Sequence, residues 1–169
     1  LSTQTGVFLV PLGKGFSDAV FALAELPDGE IVAGGLFTSS NGRPLAHLAR
    51  WDGSAWLPLD GGTNGPVQCL TVTPHGHLVV GGQFSAAGGL ACNNIAVWSK
   101  AGWRSLGAGL DGATHALLTR SDGALVAGGA FTQTGAGSPA LRVATFEQGQ
   151  WRGLGRGFSD AVLCLAQLP

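Results

Sequence analysis

The chain repeats its own sequence at a spacing of 47 residues, and this repeat limits the possible folds more than any other feature. An apolar pair followed by Gly-Gly, one variable residue, Phe and Thr or Ser starts at Val32, at Val79 and again at Val126. A dipeptide ending in Gly, typical of a tight hairpin turn, precedes each copy, as Asp28-Gly29, His75-Gly76 and Asp122-Gly123. The repeat therefore predicts three structurally equivalent units.

Each unit contains four short segments with the patterns of β-strands, and none of them has helical periodicity. The first two segments, such as 20–24 and 30–33, are apolar on both faces. The third segment ends on an aromatic residue, and the fourth starts with Trp after a turn. We expect the paired glycines to let a Phe of a neighbouring unit pack against bare backbone. The recurring residues are Gly34, Gly35, Phe37, Trp51 and Trp56 in the first unit, Gly81, Gly82, Phe84, Trp98 and Trp103 in the second, and Gly128, Gly129, Phe131, Phe146 and Trp151 in the third.

A four-stranded sheet that is apolar on both faces must be covered on both sides. Repetition of such a sheet every 47 residues predicts an all-β protein, a β-propeller of four-stranded antiparallel blades. A β-sandwich is the alternative, but it would not require the same Gly-Gly and Trp positions in every quartet of strands. The predicted organisation is a single propeller segment over residues 1–169, with an outer strand at 7–12, blades at 19–60, 66–107 and 113–155, and an inner strand at 161–168.

The predicted blades are too few for a closed ring, because known propellers use about four to eight. An open array would leave two apolar faces bare, which at about 300 Å² each costs roughly 15 kcal/mol. Residues 15–20 recur letter for letter as 157–162, so the two ends resemble each other more than they resemble the middle. We therefore expect the ends to substitute for one another when copies associate head-to-tail, most simply as a homodimer with six full blades. The alternative is a piece of a longer repeat array.

Net charge and cysteine spacing limit the expected partners. The chain has 9 Lys and Arg against 10 Asp and Glu, a formal net charge of −1, which disfavours binding to nucleic acid or a membrane surface. Its three cysteines have neither the spacing of a zinc site nor that of a disulfide framework. His75 and His77 alternate along a strand, but a third ligand is not apparent. The sequence therefore predicts neither a metal nor another cofactor.

The middle unit carries a pattern that resembles a known repeat family. It reads Gly-Gly-Gln-Phe-Ser at 81–85, Asn-Ile-Ala-Val-Trp at 94–98 and Trp-Arg-Ser-Leu-Gly at 103–107. This resembles the Kelch-like and galactose-oxidase-like propeller repeats of bacterial surface and secreted proteins, which implies a secreted or cell-surface bacterial origin. Kelch repeats carry a Tyr between the Gly pair and the Trp, and this chain has no Tyr. The copper-bound Tyr radical of galactose oxidase therefore has no counterpart here.

Nothing in the sequence forms a local nucleophile motif such as GxSxG, so we expect no enzyme activity. The preferred interpretation is a non-catalytic propeller module that acts through self-assembly or as a scaffold, either a natural fragment or a designed protein. One alternative is an extracellular domain that binds a glycan or a protein, with Asp18, Asp111 and Asp160 as the candidate ligand face. These carboxylates could equally accept hydrogen bonds from amides of their own loops. The other alternative is a propeller hydrolase or lyase.

Overall fold

A computed structural model describes residues 11–167 of the chain. These residues form strands and no helix, and accordingly none of them belongs to a helix long and apolar enough to cross a membrane. The outer strand predicted for 7–12 lies mostly outside the described residues. In chain order, the strands are β1 (Val20–Glu25), β2 (Ile31–Gly35), β3 (Ser39–Ser40), β4 (Arg43–Pro44), β5 (Leu48–Trp51), β6 (Trp56–Pro58), β7 (Val67–Val72), β8 (Leu78–Gly82), β9 (Ala86–Ala87), β10 (Leu90–Ala91), β11 (Ile95–Ser99), β12 (Gly102–Ser105), β13 (Thr114–Thr119), β14 (Leu125–Gly129), β15 (Val143–Glu147) and β16 (Gln150–Gly153).

Three four-stranded antiparallel sheets account for most of these strands. Their orders are β1-β2-β5-β6, β7-β8-β11-β12 and β13-β14-β15-β16, so each sheet pairs its strands consecutively. The short hairpins β3-β4 and β9-β10 lie in the connections between the second and third strands of the first two sheets. The predicted all-β class of four-stranded antiparallel sheets is thus confirmed. We call the sheets the first, second and third blades. The side of a blade that faces the preceding part of the chain is its rear face, and the opposite side is its forward face.

The blades pack face to face through two buried apolar interfaces. In the first interface, Val32 and Leu48 on the forward face of the first blade are buried together with Val67 and Val80 of the second blade. In the second interface, residues such as Val79 and Ile95 of the second blade pack with Ala127 and Phe131 of the third. Because β8 and β14 contribute to both faces of their blades, every one of their residues is buried. This two-sided burial explains why these segments lack polar residues.

The two glycines that end each second strand make room for different neighbours. A Cβ at Gly34 would overlap the side chain of Val67, and a Cβ at Gly81 would overlap that of Thr114, which are the first inner-strand residues of the following blade. A Cβ at Gly35 would instead collide with the carbonyl oxygen of Ala19 in the same blade. The expectation that a Phe of a neighbouring unit packs against the paired glycines was wrong. The Phe beside the second glycine, such as Phe37 at Gly35, belongs to the same blade, and no Phe is among the nearest neighbours of the first glycine. A β-branched side chain of the next blade fills that position.

A bulge interrupts the first strand of every blade at the same place. Phe21, Gln68 and His115 are skipped between two consecutive pairings with the Gly-Gly segment of the adjacent strand. Such bulges bend a strand and turn a side chain away from the regular alternation. The Gln68 and His115 side chains are hydrogen-bonded to each other across two neighbouring inner strands. The bulged residues therefore lie along one level of the inner side of the array.

Residues 161–167 correspond to the inner strand predicted at 161–168, but they form no sheet. The side chain of Val162 packs against Gly128 as Val67 does against Gly34, and its amide donates to the Gly129 carbonyl at 3.2 Å. The segment therefore takes the position of the next inner strand without forming a strand ladder.

Candidate interaction surface at the ends of the blade array

A loop leads into the first strand of each blade, and one short polar side chain in it holds that blade. The side chain is Ser17 before the first blade, Asn64 before the second and Asp111 before the third. In each case one oxygen accepts two backbone N–H groups from the connection after the Gly-Gly segment. The donors are Thr38 and Ser39 at 3.0 and 3.1 Å, Ser85 and Ala86 at 2.9 Å each, and Thr132 and Gln133 at 2.7 and 2.9 Å. We call these three residues the loop clamps.

The Trp at the start of each outer strand makes a second recurring contact between consecutive units. Its indole N–H donates to a main-chain carbonyl that follows the preceding outer strand or its equivalent. The pairs are Trp56 with Leu12, Trp103 with Asp60 and Trp151 with Leu106, each at 2.9 Å. A Trp side chain therefore connects each blade to a main-chain carbonyl of the segment before it.

Residues 12–19 bind the rear face of the first blade and cover part of it; we call them the N-terminal cap. The ring of Phe16 lies 4.2 Å from that of Phe37 and 4.8 Å from that of Trp56, centroid to centroid. Ser40 Oγ donates to the Gly15 carbonyl at 2.6 Å, and the Leu36 amide donates to the Ala19 carbonyl at 2.9 Å. The cap therefore occupies the place that the connecting loop of a preceding blade would occupy.

The inner part of the same rear face is exposed, and we call it the rear surface. Val20 is 39% exposed, whereas Val67 and Thr114, its equivalents in the second and third blades, are fully buried. Leu23 is 61% exposed, and Phe21 beside it is also largely exposed. The rear surface is therefore an exposed apolar patch, and the equivalent residues of the other two blades lie in the interfaces between blades.

The forward end of the array carries a second exposed apolar region, the forward surface. Phe158 is 58% exposed, whereas Leu110, which holds the equivalent position between the second and third blades, is fully buried. Leu154 and Leu163 are exposed in the same part of the chain. The forward surface lacks the neighbour that covers the corresponding residues of the first and second blades.

The three candidate ligand-face carboxylates have different surroundings. Asp18 and Asp160 each accept a hydrogen bond from the next amide, those of Ala19 and Ala161, at 2.6 and 2.7 Å. Asp111 is a loop clamp. Partial burial raises its pKa, but hydrogen bonds from the Gln133 amide and from Thr132 outweigh this and hold the pKa below its ordinary value. Across residues 11–167, no three His, Cys, Asp or Glu side chains are grouped as a metal site would require. A ligand face at these residues stays a prediction.

A groove of about 610 Å³ separates the second and third blades on the side of the hairpin turns. His75, His77 and Arg104 line it together with apolar residues such as Val97 and Phe146. The first and second blades are bridged on this side by an ion pair, with Lys100 Nζ 2.9 Å from Asp28 Oδ2. Residues Gln148 and His75 stand at the corresponding positions of the following pair of blades, so that bridge is not repeated.

Two models of protein families match the chain. The model of the Rax2 C-terminal beta propeller domain matches residues 54–162, from the first blade into the segment after the third. The model described as a domain of unknown function (DUF5122) beta-propeller matches residues 26–51. Both descriptions agree with the architecture described above. None of the curated proteins matches the chain in sequence.

Solved structures include chains similar to this one. The computationally designed Ika4 protein has a TM-score of 0.61 and 18% sequence identity, over 93% of this chain and 84% of Ika4. The virginiamycin B lyase from Staphylococcus aureus has a TM-score of 0.49 and 13% identity, over 82% of this chain and 42% of the lyase. At these identities the likeness to Ika4 shows the fold alone, and that to the lyase carries no functional argument.

Proposed function

The chain belongs to the family of the Rax2 C-terminal beta propeller domain, and we propose that it is a non-catalytic propeller module that forms a closed ring by head-to-tail association of copies. Two copies contribute six full blades, which lies within the usual range for closed propellers. The partner in this proposal is a second copy of the chain. The net charge of −1 argues against nucleic acid and membrane as partners.

The observation that carries the proposal is the contrast between equivalent positions inside the array and at its ends. Val67 and Thr114 are buried, while Val20 in the same position of the first blade is exposed. Leu110 is buried, while Phe158 is exposed. In both comparisons the difference is the presence or absence of a neighbouring blade. A further blade at each end would bury these residues as it does inside the array.

The forward and rear surfaces are expected to be complementary, because they correspond to the two sides of the interface between consecutive blades. The forward face of the third blade is equivalent to the face that the second blade presents to the third, and the rear surface is equivalent to the face that receives it. Contact between different surfaces of identical copies is heterologous, and it gives a ring when the rotation closes. A propeller supplies that rotation, since its blades are arranged around an axis.

Two local environments support a non-catalytic role. Burial raises the pKa of the Cys69 thiol, which keeps this sulfur protonated and unreactive. His115 is hydrogen-bonded to the amide side chain of Gln68. Neither residue is arranged as the activated nucleophile and base of a covalent mechanism. The Kelch-like resemblance of the repeat is part of the same proposal, because that pattern defines blades rather than a reaction.

The molar mass in solution tests the proposal. We expect light scattering coupled to size-exclusion chromatography at micromolar concentration to give twice the 17.0 kDa of one chain. Leu154→Glu should restore the monomer mass, because a charge on the forward surface cannot be buried without a large desolvation cost. Leu90→Glu is the matched control, since Leu90 is an exposed leucine on the middle blade. A wild-type protein that stays at 17.0 kDa at every concentration would contradict the proposal.

A further inference from the structure

The two ends of the chain carry the same short segment. In the structure, the aromatic ring of the N-terminal segment packs against a blade face, whereas the aromatic ring of the C-terminal segment is exposed. We propose that the ring closes by exchange of this segment: residues 154–167 of one chain replace residues 12–25 of the next, and Phe158 takes the site of Phe16. This inference rests on the proposed association of copies. It adds the place where they join and the residues that each contributes.

The C-terminal segment can make every contact that the N-terminal cap makes. The cap is held through the carbonyls of Leu12, Gly15 and Ala19, the ring of Phe16 and the hydroxyl of Ser17. The residues 142 positions later are identical in all five cases, namely Leu154, Gly157, Ala161, Phe158 and Ser159. The two internal loops share only part of this set, since Phe is replaced by Thr63 and Leu110, and Ser by Asn64 and Asp111. The identity is therefore specific to the two ends.

The N-terminal and C-terminal segments differ in burial and in strand pairing. Phe16 packs between Phe37 and Trp56, whereas Phe158 is exposed and has no aromatic ring to pack against in its own chain within residues 11–167. Residues 161–167 have no paired strand, whereas residues 20–25 form the β1 ladder with β2. The C-terminal segment is therefore free to enter a sheet, and the sheet it fits is the first blade of another copy.

Exchange also positions the blades. Val162 already packs against Gly128 of the third blade, as Val67 packs against Gly34 of the first. A C-terminal segment paired with β2 of another copy would therefore bring its own third blade onto the rear face of that copy's first blade. By equivalence with the β1-β2 ladder, Val162 would lie opposite Gly35 and Gln167 opposite Ile31. The junction then has the geometry of the two internal interfaces.

The N-terminal cap and the incoming segment compete for one site. The cap has the advantage of being part of the same chain, which gives it a high effective concentration. Weakening the cap should therefore favour association, and weakening the C-terminal segment should oppose it. If the copies instead dock with the cap left in place, Phe16 is part of the docked surface. Weakening the cap should then weaken association rather than favour it.

The test compares the same substitution at the two equivalent positions in the full chain. Phe158→Ser is expected to raise the Kd of association, measured by sedimentation velocity, by about tenfold or more, because a buried aromatic anchor is lost. Its unfolding midpoint in dilute solution should not change, since the side chain is exposed in the monomer. Phe16→Ser is expected to lower the Kd. Phe16→Leu is the milder variant if Ser prevents folding, because Leu110 is accommodated at the equivalent position.

The outcomes separate this inference from the proposed function. Opposite effects of the two substitutions support exchange. Association of the wild-type chain that is unaffected by Phe158→Ser, or weakened by both substitutions, overturns exchange while leaving head-to-tail association intact. A wild-type chain that never associates overturns the proposed function itself.

Discussion

The loop clamps show how one structural role is carried by different amino acids. Ser17, Asn64 and Asp111 share a short side chain with an oxygen that accepts two amide hydrogens. The sequence predicted loops here, but it placed Asp111 with Asp18 and Asp160, which lie one position later in their own loops. Aligning the loops by their glycines would have shown Ser, Asn, Asp and Ser at one position. That set is the signature of side chains that bind loop amides.

Substitution of Asp111 tests the clamp and its charge separately. Asp111→Ala should lower the free energy of unfolding by about 1 kcal/mol, as loss of a capping side chain does. Asp111→Asn should retain the clamp, since Asn64 performs this role in the second blade. The lowered pKa of Asp111 means that its charge stabilises the fold above the ordinary carboxyl pKa, and that this contribution is lost as pH falls through the lowered value.

Urea unfolding at neutral and acid pH measures both effects. The Asn variant should lose less stability than wild type when the pH is lowered from 7 to about 3. Equal losses in the two proteins would show that another carboxylate carries the acid sensitivity.

At the scale of the strands, the apolar pattern predicted the order and approximate position of the four strands in each blade. It could not predict how each third strand begins. His47, Asn94 and Arg142 precede β5, β11 and β15 with positive φ angles of 60°, 61° and 68°. Asn, Asp and His adopt this conformation more often than other residues with a side chain, but Arg does not, so the three residues share no sequence signal for it. Tertiary hydrogen bonds fix the conformation, because each of these residues donates its amide to the carbonyl of Phe37, Phe84 or Phe131.

The first glycine of each pair provides a test of packing between inner strands. Gly34→Ala should lower the free energy of unfolding by about 1–3 kcal/mol, because the new methyl group overlaps Val67 on a strand fixed by pairing with β8. Gly128→Ala is the matched substitution. It should cost less in the monomer, because Val162 belongs to a segment without a paired strand and can move away.

Denaturant unfolding of the two variants at low protein concentration checks this prediction. If both alanines cost the same, then the C-terminal segment is held as firmly as a paired strand. A smaller penalty for Gly34→Ala in a Val67→Ala background would confirm that Val67 is the obstacle.

At the scale of the whole molecule, the repeat predicted the blade architecture, and its incomplete ring predicted exposed ends. The structure and the family models bear out the blades. The duplicated ends also predicted a second copy of the chain as the partner, which stays a prediction, but a repeat alone describes how one unit meets the next and not which residues join two copies. The duplicated segment carries that information only when its contacts are known.

The thiols report on the assembled molecule without any substitution. Cys69 is buried and burial raises its pKa, whereas Cys164 is exposed. In dilute protein we expect a thiol reagent at pH 8 to modify Cys164 rapidly and Cys69 slowly. At concentrations where copies associate, Cys164 should become protected, because exchange places it in an inner strand between blades. Peptide mass spectrometry after brief labelling measures both sites, and Cys164 labelling that is independent of concentration would contradict protection.

Phe16 and Phe158 are 142 positions apart, which spans three whole blades, so under the proposed exchange each chain advances the ring by three blades. An assembly made only of this chain therefore has a blade number divisible by three. Within the range of about four to eight blades, six is the sole multiple of three, so under the same proposal the spacing in the sequence, rather than the strength of the contact, would set the stoichiometry.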